Sequence, residues 1–111
     1  MNVKKVILFF LSLVFLLPTS GLMAQENDGE VLVQINRCYA CHHESNTLIG
    51  PPYLAIAARH GQRREVMVDV LVEKIRRGGG GNWGIVPMVP NEHVSEEDAR
   101  TIARWILSLN D

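Results

Sequence analysis

Two cysteines and a histidine stand together as Cys38-Tyr39-Ala40-Cys41-His42, the pattern through which haem is held covalently. Cysteines at i and i+3 share one helical face, so each can form a thioether with a haem vinyl group, while His42 is brought beneath the ring to ligate iron. A thioredoxin-like redox pair would need the same CxxC at a helix start after a strand in a βαβ setting, and no such setting is legible here. A closed zinc site needs four ligands, yet beyond the cysteine pair the chain offers only His42, His43, His60 and His93, two of them adjacent. Haem attachment is the reading that uses all three residues.

A second axial ligand decides what the iron does, and the candidates are Met67, Met88, His43, His60 and His93. Met67 falls on the apolar stripe of a helix, where methionine is ordinarily a core filler. Met88 lies between Pro87 and Pro90 after a glycine-rich stretch with no helical stripe to join, and the fixed φ of the prolines is suited to holding its thioether towards iron. The other histidines are read as solvated surface groups. With His42 and Met88 both bound, the iron is six-coordinate with no open position, which favours electron transfer over catalysis. A thioether also stabilises ferrous iron and raises the potential relative to two imidazoles. The alternative is a haem peroxidase or gas-binding sensor in which the methionine is absent from the iron or leaves it readily.

These residues must be positioned by a short chain. Of 111 residues, the first 24 read as a secretory signal peptide: Lys4 and Lys5 form a basic start, Val6 to Leu17 an apolar run, and Pro18 to Ala24 a cleavage region. A run of about 12 residues is shorter than the roughly 20 that span a bilayer, so no stable membrane span is expected after cleavage. The expected location is the periplasm, where this haem type is matured. Residues 25–111 then form one domain with nine basic and twelve acidic residues, a net charge of about −3. That balance lends no support to nucleic-acid binding. A domain of this size buries only about 60–65 per cent of its unfolded surface and needs a staple. A Cys38–Cys41 disulfide would close too small a loop to serve, whereas a covalent haem becomes part of the core.

The pattern predicts a helix over 29–39 with Val31, Ile35 and Cys38 along one stripe, and a brief helix over 53–59. A stronger helix is predicted over 64–77, with Met67, Val70, Leu71 and Ile75 inward and Lys74, Arg76 and Arg77 at the end where cations suit the dipole. Gly78 to Gly81 stop that helix, and the segment to Val94 suits neither helix nor sheet. Ser95 opens the last helix with Asp98 three residues on, and Ala99, Ile102, Ala103 and Ile106 form its inner face beside Trp105. Without convincing strands or repeats, the expected class is all-α.

The order CYACH, GPP, WGIVPMVPN and SEEDARTIARWILSL resembles the short bacterial class I cytochromes c over nearly the whole mature chain. The resemblance implies the small all-α fold of that family wrapped around one covalent haem c, and a carrier rather than an enzyme. It further implies that Cys38 and Cys41 hold the haem, that His42 and Met88 ligate iron, and that the Pro51 carbonyl fixes the other nitrogen of His42, as metal-bound histidines require. By the same resemblance Trp83 donates to a haem propionate, Asn91 contacts the methionine side, and Lys74 stands where related chains often have arginine near a propionate. The implied partners are redox proteins, a donor complex and a terminal oxidase or reductase, docking transiently onto a monomer. One departure is that the family places glycine and an aromatic on the first helix where it crosses the last, while this chain reads Val33, Gln34, Ile35, Asn36, Arg37 there. The crossing with Trp105 is therefore expected to be packed differently.

Overall fold

A computed structural model describes residues 24–111, so the expected signal segment lies, apart from Ala24, outside the described residues. Four α-helices follow in order: α1 (Ala24–Ile35), α2 (Tyr53–His60), α3 (Arg64–Arg77) and α4 (Glu96–Ser108), with 3-10 turns at Cys38–Ala40 and Gly61–Arg63. Among the described residues no strand forms beyond one isolated bridge, Gly79 to Met88, and no helix is long and apolar enough to cross a membrane.

The last helix organises the others, packing against α1, α2 and α3. Its start is set by Ser95, whose side chain accepts a 3.0 Å hydrogen bond from the Asp98 backbone N–H, with Glu96, Glu97 and Asp98 in the first turn where the dipole favours anions. Ala99, Ile102, Ala103, Ile106 and Leu107 are buried, one turn apart along a single face. On α3 the buried side chains are Met67, Val68, Val72 and Ile75. Val70, expected inside, is half exposed, because the inner face is centred on Val68 and Val72 rather than on the Val70–Leu71 edge.

Two readings of the first helix are corrected. It does not run on to Tyr39: it ends at Ile35, Arg37 takes the left-handed conformation at φ 58°, and the cysteines follow on a separate 3-10 turn. Nor do Val31 and Ile35 face inward, since both are more than half exposed, while Gly29 and Val33 are buried. A glycine adds nothing to a hydrophobic pattern, so the true face is hidden in the sequence. It is nonetheless the point of closest approach: a Cβ on Gly29 would stand 2.1 Å from Trp105 Cβ and 3.2 Å from the Thr101 carbonyl oxygen. The glycine at the α1–α4 crossing is thus Gly29, and the supposed departure at Val33 to Arg37 lies one turn beyond it.

Candidate haem site

The attachment motif is built on a tight turn. Cys41 N–H and His42 N–H both donate to the Cys38 carbonyl, at 3.1 and 3.0 Å, which closes the turn and leaves the two cysteines three residues apart, where 3-10 geometry stacks side chains. Both thiols are free and half-buried, and burial pushes the Cys38 thiol above its ordinary range, so it is held as the neutral S–H.

His42 is the one buried charged or polar residue of the described core. Its Nδ1 lies 2.7 Å from the Pro51 carbonyl oxygen. That contact requires the protonated Nδ1 tautomer, which leaves Nε2 with the lone pair that a metal needs. Two neighbours hold the ring. Tyr53 stacks on it at 5.4 Å between centroids and 20° between planes, and a Cβ at Gly50 would come within 2.5 Å of Cε1. Gly50 was legible only as a chain breaker; its second role is to let the backbone pass against the imidazole, and the signal for it is the glycine directly before the proline that supplies the acceptor.

Tyr53 links this turn to the core. It is 2% exposed and packs edge-on against Tyr39 at 5.8 Å and Trp105 at 5.4 Å. Its hydroxyl is buried without a hydrogen-bond partner, and burial, reinforced by the nearby cysteines, pushes the phenol far above its usual range.

Met88 is half-buried and packs against the same hydrophobic core as Cys38. Its backbone exchanges both ladder bonds with Gly79, N–H to O and O to N–H, each 2.9 Å. Asn91 binds from the other side. Its backbone N–H and side-chain Nδ2 both donate to the Ile75 carbonyl, at 3.1 and 3.2 Å, and Nδ2 also donates to Val89 O at 3.1 Å. The methionine loop is therefore fastened to the C-terminal turn of α3, whose carbonyls would otherwise be orphaned. Rigid prolines alone do not hold it.

Trp83 is 44% exposed, with the Arg59 guanidinium 4.8 Å above its ring, and Arg59 also donates to the Asn82 carbonyl at 3.0 Å. Lys74 Nζ reaches to within 3.2 Å of the position of a Gly79 Cβ. Met67 is buried in α3. His43 turns its Nδ1 to the N–H groups of Ser45 and Asn46, and His93 is exposed. His60 departs from the expected solvated group: it is half-buried, its Nδ1 is out of contact with solvent and unpartnered, and its ring stands edge-on to Trp83 at 6.4 Å.

A scan against protein-family models gives no match. Individual relatives are close, however. Cytochrome c-551 of Azotobacter vinelandii is 40% identical over 80 residues, 72% of this chain and 95% of the relative. Cytochrome c-551 of Pseudomonas aeruginosa is 38% identical over 100 residues, 87% of this chain and 94% of the relative. The crystal structure of wild-type Nitrosomonas europaea cytochrome c552 superposes with a TM-score of 0.68 at 39% identity, covering 72% of this chain and 98% of that one. The chain belongs to the class I cytochromes c, with the cytochromes c-551 and c-552.

It is accordingly a small electron-carrier cytochrome with the all-α cytochrome c fold. It carries one covalent haem c, for which Cys38 and Cys41 are the chain's two thiols. The residues fit such a group on their own terms. Two free thiols adjoin a buried imidazole whose Nδ1 is already engaged, and a buried hydroxyl is left without a partner beside them. The loops bearing His42 and Met88 also expose Leu48, Ile49, Ile85, Val86 and Val89, apolar surface suited to a flat apolar group and its surroundings.

Proposed function

We propose that this cytochrome is a periplasmic single-electron carrier whose iron is ligated by His42 and Met88, released from an N-terminal signal of residues 1–24 as a domain of residues 25–111. The observation that carries the ligand reading is the His42 Nδ1 to Pro51 carbonyl contact of 2.7 Å, which directs the free lone pair of the ring to the other nitrogen. When bound, the haem supplies a one-electron iron(III)/iron(II) couple. Every other contribution is the chain's own.

Cys38 and Cys41 fix the group to the turn, and Tyr53 and the side-chain-free Gly50 keep the imidazole from rotating. Met88 offers a soft thioether from a loop fastened at Gly79 and Asn91. Trp83 is assigned as a propionate donor through its indole N–H, and Asn91 acts on the methionine side through the loop it ties down. Two neutral ligands held in place in both oxidation states leave little to reorganise with the electron and no position for a substrate, so the protein is a carrier, not an enzyme. The exposed apolar residues around the two loops suit small, transient contacts with a donor complex and then an oxidase or reductase. A carrier of this kind works as a monomer.

The test is the optical spectrum of the periplasmically matured protein and of Met88→Ala. The wild type should show the weak far-red ferric band that reports thioether sulfur on haem iron, and its ferrous form should not bind carbon monoxide at neutral pH. Met88→Ala should keep the covalent haem, lose the band, bind carbon monoxide and show a lower potential. A wild type that lacks the band and binds carbon monoxide would hand the site to the gas-sensor or peroxidase reading.

A further inference from the structure

The C-terminal turn of α3 and the methionine loop meet at a residue with no side chain. Gly78 caps α3, its N–H donating to the Lys74 carbonyl at 2.8 Å, with φ 67° and ψ −152°, a conformation open essentially to glycine alone. A Cβ there would stand 2.3 Å from the Met88 carbonyl oxygen, 2.8 Å from Pro90 N and 2.9 Å from the Val89 carbonyl carbon. All three are backbone atoms, so no rotamer change can relieve the collision and the loop itself must move. The same loop is held at Gly79 by two 2.9 Å bonds and at Ile75 O by Asn91. Its backbone is thus pressed onto the helix end at one point and bonded to it on both sides.

We propose that Gly78 is a positioning residue for the methionine ligand: the missing side chain lets the end of α3 seat the Met88–Pro90 backbone at the depth from which the thioether reaches iron. The inference rests on the reading of Met88 as that ligand. It predicts that strength of the iron–sulfur bond is set by how closely α3 and the loop approach, not by loop flexibility in general.

A neighbouring glycine separates those two causes. Gly81, at φ 92°, also has the positive φ that an L side chain resists, but a Cβ there would meet nothing within 4 Å. In the matured haem protein, Gly78→Ala should lose most of the far-red sulfur band, bind carbon monoxide in the ferrous form and show a lowered midpoint potential. Gly81→Ala should keep the band. Asn91→Ala, which removes the side-chain bonds to Ile75 and Val89 but leaves the backbone bond, should weaken the band partially, and it decides the matter if Gly78→Ala yields no folded protein.

A full band and no carbon monoxide binding in Gly78→Ala, or in Asn91→Ala where the glycine variant does not fold, overturns the proposal. Equal loss of the band in Gly78→Ala and Gly81→Ala overturns it as well, because strain without collision would then suffice. If the wild type itself lacks the band, the ligand reading has failed and the inference falls with it. If Met88→Ala loses the band while Gly78→Ala keeps it, only the inference has failed.

Discussion

Replacing Gly29 by alanine sets two well-understood effects against each other. Gly29 lies inside α1, where alanine is favoured over glycine by roughly 0.5–1 kcal/mol through backbone entropy. Against that, the new Cβ would sit 2.1 Å from Trp105 Cβ and 2.6 Å from Trp105 Cγ, atoms next to the α4 backbone that cannot swing aside, and 3.2 Å from the Thr101 carbonyl oxygen. Ordinary contact needs well over an ångström more, so α1 and α4 must separate. Overpacking of a tight core commonly costs about 1–3 kcal/mol, and an overlap this deep belongs at the upper end. The net expectation is a loss of about 2 kcal/mol, a fall in melting temperature of about 8–16 °C for a domain of this size. Thermal unfolding of the matured protein followed by far-UV circular dichroism measures it. Gly61→Ala is the matched control: the residue is helical at φ −58°, and its Cβ would meet only the Leu107 carbonyl oxygen at 3.5 Å, so stability should rise by about 0.4–1 kcal/mol. If Gly29→Ala melts at or above the wild type, the close approach of the two helices is not what holds glycine there.

At the histidine, Gly50→Ala should force the ring off its seat, since the added Cβ meets Cε1 at 2.5 Å and Nδ1 at 2.8 Å. The expected outcome is a changed potential and altered ligand-field bands with the haem still attached under denaturing electrophoresis, and unchanged spectra would contradict it. At His60, desolvation first, then Arg59 and Arg63, lowers the imidazole pKa below its ordinary value. The unfolded chain therefore takes up this proton before the folded one, so stability is complete above about pH 6.5 and declines as the pH falls through the lowered value. Denaturant midpoints across that range should fall less steeply for His60→Gln than for the wild type, and parallel profiles would remove His60 from the acid limb.

What could be read from the residues alone followed the strength of their local signals. Helices α3 and α4 were legible because each carries a dense apolar face and a clear boundary: Gly78 after Arg77 and the Ser95–Asp98 cap. The attachment motif was legible because its chemistry demands fixed spacing. The first helix is obscure for the opposite reason. Its inner face is carried by Gly29 and Val33, and a glycine that matters through what it leaves empty contributes nothing to a hydrophobic pattern. The turn at Arg37 was equally silent, as a left-handed arginine has no sequence signature. His60 reads as a surface group because polarity predicts exposure, whereas its Nδ1 is enclosed near Trp83 by a fold that brings residues 23 apart together.

The glycines with little sequence signal are those that seat the two proposed ligands, and they act on different parts of the frame. On the histidine side, Gly29 admits Trp105, Trp105 packs edge-on to Tyr53, and Tyr53 stacks on His42, so the ring's position is passed through α1, α4 and α2 in successive contacts. On the methionine side, Gly78 admits the loop backbone and the end of α3 bonds it. The two routes meet at α4, which packs against α1, α2 and α3 alike. A disturbance confined to one route should therefore alter one axial ligand and spare the other, while a loosened α4 should alter both. That separation suits a carrier, because each proposed ligand is held by contacts that do not depend on the iron's charge and neither needs to move when an electron arrives.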